Sequence, residues 1–387
     1  MSDILHAMIK LRIVSKFFTS RLIRTACCLT YLLSLSTNNC AQISYFQKLE
    51  PIENHPLENV KYDSKHDGSK MTVVILADTQ GTEITDLIVP YSLLKLADLN
   101  VYIVSNQKGN VLLWKGLVLV PHDTINDFPF SFDAVVVPNV FHPEDKSFQK
   151  FLANDRIPVL SVCEGAKVIG RSDQFLNHQI TTHASSLSQL ENEFPRLNWI
   201  KGKKYVEDRQ LISTAGVASS IEGTLVLISR LVDVKKANFV KQKIGYPHDM
   251  IREFYSGEAI SILDQLTILW KVTFDDNPEY ALHLKSGMNE MDIAITLDVW
   301  ARTFPSSIAA VSQGYIRTEN GLFLAGVKNK SLGTKNLCLR DCETVGKTDT
   351  QIGNDQSKEF LLDLHLNQVG KRYGNRFAQV VKRLLDY

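Results

Sequence analysis

The stretch Ile157-Pro158-Val159-Leu160-Ser161-Val162 runs directly into Cys163-Glu164-Gly165-Ala166 and on through Lys167-Val168-Ile169-Gly170. Its first part is a continuous apolar run, as in a strand buried on both faces. Its second part opens with small residues, which suit a helix start crowded against a sheet. A sharp strand-to-helix turn lifts one side chain out of the sheet and sets it at a helix N-terminus. Here that side chain is the Cys163 thiol. The free N–H groups of a helix start favour an anion. The placement therefore predicts a thiol that leans towards thiolate, the reactive form. The competing expectation is an inert buried cysteine, because free Cys is among the most buried residue types.

Working outward, the segment from Met71 onwards alternates strand and helix. Thr72 to Ala77 is a continuous apolar run, and Thr82 to Ala97 has helical spacing through Ile84, Leu87, Ile88, Tyr91, Leu94 and Leu96. Val101 to Ser105 reads as a strand, Val111 to Val120 as two short strands about Lys115-Gly116, and Ala134 to Val137 as a strand ending in Pro138-Asn139. Tyr205 to Ser213 reads as a hairpin turning at Asp208-Arg209, and Ile221 to Val232 as an amphipathic helix. Strands separated by helices imply an α/β fold with a parallel sheet covered on both faces. In such sheets the crevice lies at the carboxyl ends of the strands. Cys163 and Asn139 both fall at such ends.

Several of these residues together carry a resemblance. They are Gly81 to Pro90, Val135-Val136-Val137-Pro138-Asn139, Ser161-Val162-Cys163-Glu164-Gly165-Ala166, Thr181-Thr182-His183-Ala184 and Ser213-Thr214-Ala215-Gly216. In this order they resemble the DJ/PfpI superfamily, over about Met71 to Tyr246. The resemblance implies the class I glutamine-amidotransferase-like (flavodoxin-like) parallel-sheet sandwich. Within the superfamily the chain is most similar to the isonitrile-hydratase-like branch and the amidase-like domains attached to AraC-type regulators.

The resemblance also implies roles. Cys163 matches the nucleophile, and Asp86 the acid that hydrogen-bonds its sulfur. The backbone N–H groups at Glu164 and near Asn139 match oxyanion donors. His183 matches a pocket histidine, and Gly165 lies beside the same pocket. Two positions depart from the pattern. Protease-like members carry histidine directly after the nucleophile, where this chain has Glu164. Where the family has two glycines after proline, this chain has Asn139-Val140. Glu164 is either a proton donor itself or the mark of a site that only binds.

A second unit repeats part of the first. Gly81-Thr82-Glu83-Ile84-Thr85-Asp86 follows the first strand, and Gly287-Met288-Asn289-Glu290-Met291-Asp292 follows a strand expected from Tyr280 to Lys285. No second strand-Cys-small-small elbow follows. This predicts a shortened, degenerate second copy over 279–387, joined to 71–246 by a helical connector over 247–278. Phe360 to Tyr387 reads as one long amphipathic pattern.

The N-terminal 41 residues are of another kind. Lys10, Arg12, Lys16, Arg21 and Arg24 precede the short apolar run Thr25 to Ser36, and Asn39-Cys40-Ala41 ends in a small residue. This order predicts a secretory signal peptide over 1–41, with an uncleaved membrane anchor as the alternative. Residues 42–70 read as a polar tether. The expected location is exported, periplasmic or secreted. With Cys27, Cys28 and Cys40 removed or at the cut, Cys163, Cys338 and Cys342 remain. Whether Cys338 and Cys342 pair stays open, and pairing would leave Cys163 as the free thiol.

With 44% hydrophobic and 22% charged residues, the composition is that of a globular protein, and a net charge of +1 gives no nucleic-acid footprint. The histidines show no metal-ligand spacing, so neither a metal nor a cofactor is expected. The leading expectation is an exported cysteine-dependent enzyme, hydratase- or hydrolase-like (amidase-like), acting on a small electrophile. The second is a non-catalytic ligand-binding or redox-sensing module. The third, a transcription-regulator-like sensor, lacks a DNA-binding part in this chain. The expected partners are a small-molecule substrate or ligand, a membrane if the N-terminus stays as a tether, and a second copy in a homodimer.

Overall fold

Six consecutive apolar-face residues make strand β1 (Thr72–Ala77), and every one of them is buried. This is the signature of a central strand covered from both sides. In a computed structural model, which describes residues 60, 62, 66–113, 116–248, 260–275, 277–328, 335–339, 349–352 and 359–387, the chain builds outward from it. The expected signal or anchor (1–41), and the tether as far as residue 59, lie outside the described residues. No helix among the described residues is long and apolar enough to cross a membrane.

After β1 come helix α1 (Ile84–Leu96), β2 (Asn100–Ser105), the hairpin β3 (Val111–Leu113) and β4 (Leu117–Leu119), β5 (Asp123–Thr124), β6 (Ala134–Val137), α2 (Lys146–Leu152) and β7 (Val159–Val162). A single turn at Cys163–Gly165 leads into α3 (Ala166–Gly170). Next are β8 (Gln179–Ile180), α4 (Ala184–Glu193), β9 (Asn198–Trp199), β10 (Tyr205–Asp208), β11 (Leu211–Thr214), α5 (Val217–Leu231) and α6 (Val234–Lys243). The main sheet has the order β10-β11-β7-β6-β1-β2-β5 and is parallel except at β10. Alternate residues serve opposite faces, as the pleat requires. Val73 and Ile75 join the core under α1 and α5, while Val74 and Leu76 join the core under α2 and α3. The chain is thus a mixed α/β protein with a central, mostly parallel sheet.

The second unit begins after α7 (Ile262–Phe274) with β12 (Glu279–His283), α8 (Glu290–Ala301), β13 (Ser307–Val311), the hairpin β14 (Ile316–Arg317) and β15 (Phe323–Ala325), β16 (Lys335–Leu339) and β17 (Thr350–Ile352). Its sheet, β13-β12-β16-β17, is parallel throughout. That is the order and direction of β2-β1-β6-β7 in the larger sheet. The expected single C-terminal pattern is two helices, α9 (Leu361–Tyr373) and α10 (Asn375–Leu384). The break is at Gly374, whose φ of 89° suits glycine and stops a helix.

The two units meet at several places. Helix α1 packs against α8. Ser92 on α1 donates to Glu290 Oε1 on α8 at 2.5 Å, and both residues are buried. The hairpins merge into one antiparallel sheet, β14-β15-β4-β3, in which Leu324 faces Leu119 and Ala325 faces Val118. Between Val89, Ala218, Ile221, Ile295, Val299 and Leu385 a gap of about 10 Å³ remains. A gap of that size holds at most one water.

Candidate active site

Strand β7 passes at Cys163 into a short turn before α3, and the backbone there is strained. Cys163 has φ 53°, a left-handed value that costs a residue with a Cβ about 1–2 kcal/mol. Two contacts hold it there. Thr182 Oγ1 donates to the Cys163 carbonyl at 2.8 Å. Gly165 lies against the end of β6, where an added Cβ would sit 2.1 Å from the Val137 carbonyl oxygen. Only glycine fits that approach. This explains its place in the motif as packing beside the pocket.

The sulfur itself is enclosed. Cys163 is 3% exposed. Burial pushes its thiol well above the usual range, and the carboxyls of Asp86, Glu164 and Glu83 push it further in the same direction. The Glu164 backbone N–H donates to the sulfur and opposes this, but it is outweighed. The thiolate expected from the helix-start position is thus reversed: one N–H faces three carboxyls and no solvent.

Asp86 stands near the sulfur but does not bond it. Its Oδ2 accepts the Asn139 backbone N–H at 3.2 Å, and no hydrogen bond from Asp86 reaches Cys163. Burial raises the Asp86 carboxyl well above the usual carboxylate range, followed by the charge of Glu83 and a hydrogen bond with it. Glu83 caps α1, accepting Asp86 N–H at 2.7 Å and Thr85 Oγ1 at 2.8 Å. Its own carboxyl is raised to about 7 by burial and by Asp298 of the second unit, against the pull of Arg302. Burial and each other's charge thus make both carboxyls harder to ionise than free ones. The Asn139 N–H, matched to an oxyanion donor, is spent on Asp86 instead.

Glu164 has partners of its own on both oxygens. Its Oε2 pairs with Lys167 and its Oε1 accepts from Ser186 Oγ. His183 caps α4, with Nδ1 accepting the Ser185 N–H at 3.3 Å and lying 2.6 Å from Ser185 Oγ. Its Nε2 lies 3.7 Å from Asp386 Oδ2. Asp386 comes from the turn after α10, docked on α5 by Ala218 N–H donating to the Leu385 carbonyl at 3.2 Å.

The structure thus gathers Cys163, Asp86, Asn139, Glu164, Gly165 and His183 at one place. It adds residues the sequence reading did not single out: Glu83, Thr182, Ser186, Asp298, Arg302 and Asp386. Glu83 had a local signal, a carboxylate three positions before Asp86 at a helix start. The residues from the second unit had none. Cys338 is disulfide-bonded, Cys163 is a free thiol, and Cys342 lies outside the described residues.

The family model described as DJ-1/PfpI family matches residues 71–230. Residues 71–230 belong to the DJ-1/PfpI family. Similar solved structures include a mutant of the DJ-1 superfamily protein STM1931 from Salmonella typhimurium, at 20% identity and TM-score 0.42, covering 46% of this chain and all of that one. Drosophila melanogaster DJ-1beta is 18% identical with TM-score 0.42 over the same shares. A ThiJ/PfpI family protein from Pseudomonas syringae is 21% identical with TM-score 0.45, covering 52% of this chain and 85% of that one. No curated protein matches the chain. The DJ-1/PfpI domain ends at the α5 helix, so the second unit is an addition outside the matched region.

Proposed function

We propose that the DJ-1/PfpI domain of this protein is a non-catalytic binding module, with the shortened second unit packed as a cover over its crevice. One observation carries this reading: the Cys163 sulfur is buried, neutral and ringed by carboxyls. A nucleophile needs thiolate and access, and this sulfur has neither. Redox sensing needs the same two properties. Two further supports are the Asn139 N–H, engaged by Asp86, and the Glu164 carboxylate, paired with Lys167. The disulfide at Cys338 supports an exported chain, since such bonds persist in oxidising compartments. A buried thiol would also survive there.

A second reading is favoured by the strain at Cys163. A left-handed φ held by Thr182 and Gly165 is the geometry of a working elbow. In this reading the second unit withdraws and the domain acts as a cysteine-dependent hydratase or hydrolase on a small electrophile.

Iodoacetamide labelling near neutral pH separates the two, with Cys163→Ala subtracting the other cysteines. The non-catalytic reading expects native Cys163 to label about 100-fold more slowly than in denaturant. A native rate equal to or above the denatured one ends that reading. A small electrophile whose turnover disappears in Cys163→Ala establishes the second.

A further inference from the structure

Five large apolar side chains stand in solvent on one helix. On α7, Ile262 is 75% exposed, Leu263 60%, Leu266 40%, Trp270 64% and Phe274 43%. Ile262, Leu266, Trp270 and Phe274 recur every four residues, so they line one face, with Leu263 beside them. The other face is anchored. Asp264 is buried and accepts from Arg383 Nη1 at 2.9 Å. Lys271 is buried and donates to Asn277 Oδ1 at 2.6 Å. Ile268 joins Val380 and Leu384 of α10 in a small core. The stripe is therefore held outward by a fixed helix. The Trp270 and Phe274 rings already pack on each other, with centroids 4.5 Å apart.

Charge decides what such a stripe fits. Asp264 and Lys271 are the only ionic residues of α7, and both are buried on the anchored face. The exposed face carries no ionic group, so α7 itself offers no electrostatic hold on anionic headgroups and none on a charged peptide. It is complementary to itself. Area points the same way. Covering the five side chains removes roughly 600 Å² per copy, or about 1,200 Å² for a symmetric pair, the lower end of a specific interface.

We propose that this stripe is a homotypic interface, through which two copies of the chain pair about a two-fold axis with Leu266 and Trp270 near its centre. This inference is independent of the state of Cys163.

Sedimentation velocity of the full chain, from about 0.1 to 100 μM, tests it against a Leu266→Gln/Trp270→Ser variant. The expected result is a monomer–dimer equilibrium in the micromolar range, weakened at least tenfold by the variant. Because Trp270 is 64% and Leu266 40% exposed, the variant is expected to keep the wild-type far-UV circular dichroism and to shift the melting temperature by only a few degrees. A second, conservative variant, Leu266→Ala alone, gives an intermediate weakening and guards against loss of fold. A wild-type chain monomeric throughout overturns the proposal, as does self-association that both variants leave unchanged. Monomeric binding to phosphatidylcholine vesicles that the variant abolishes also overturns it, and assigns the stripe to a lipid surface.

Discussion

Asp386 Oδ2 lies 3.7 Å from His183 Nε2, so a residue of the second unit faces the histidine that caps α4, one position from the Thr182 clamp on Cys163. The contact depends on Gly216. A Cβ built there would lie 2.7 Å from Asp386 Oδ2 and 2.9 Å from Asp386 Cβ. Gly216→Ala is expected to push the Asp386 turn off α5 and raise Cys163 labelling by iodoacetamide about tenfold. Asp386→Asn keeps the volume and should change labelling less. Unchanged labelling in Gly216→Ala would show that another contact shields the sulfur.

Gly165→Ala addresses the elbow itself. Its Cβ would collide with the Val137 carbonyl of β6, which cannot move without breaking the central sheet. The expected destabilisation is about 3 kcal/mol or more, read as a lower urea midpoint at constant slope. A shift under about 1 kcal/mol would mean that the strand and helix separate more easily than the packing implies.

The stability profile against pH is expected to be a dome. On the alkaline side, Glu83 is raised to about 7 from an ordinary 4.5, and Asp86 is raised with it. A raised acid contributes stability that is present below its unfolded value and lost as pH rises through its folded value. Above about pH 6.5, where the unfolded histidines no longer bind protons, urea stability should therefore weaken as pH rises to 8, and Glu83→Gln should flatten that limb. On the acid side, His122 and His365 are lowered to about 3, in each case chiefly by burial. His365 accepts from Trp300 Nε1 at 3.0 Å through Nδ1, and its Nε2 lies 3.1 Å from Thr296 Oγ1, so it is held neutral. Stability held by neutral histidines is lost as pH falls below about 6.5. A flat profile between about pH 6.5 and 8 in the wild type would contradict the raised carboxyls of Glu83 and Asp86.

Ser92→Ala removes the buried bond from α1 to Glu290 of α8. Glu290 Oε1 keeps Asn320 Nδ2 at 2.6 Å, so the loss should be modest, about 1 kcal/mol by urea denaturation. Ser92→Ala combined with Glu290→Gln should cost less than the sum of the two single changes, since both act on one bond.

Much of this was legible in the chain. The run Thr72 to Ala77 is a strand over those same residues, and the strand expected before Cys163 ends at Val162. Local pattern was enough there, because each strand is short, apolar and bounded by turn residues. The ionisation of Cys163 was not legible. It depends on how many carboxyls converge through space, and Glu83, Asp86 and Glu164 are 80, 77 and 1 positions away in sequence. Asp386 is 203 positions from His183, and no periodicity or motif announces such a contact. The long pattern from Phe360 hid a break because one glycine, Gly374, carries it.

The merged hairpins have a mechanical consequence. Strand β4 is hydrogen-bonded on one side by β3 and on the other by β15, at Leu119–Leu324 and Val118–Ala325. Cutting the chain after α6 would strip that flank and leave the apolar Leu117-Val118-Leu119 with open donors and acceptors. Such an edge templates stacking between molecules. The matched domain is thus chaperoned within its own polypeptide, and shortening the gene to its recognisable half should yield precipitate where the whole chain stays in solution.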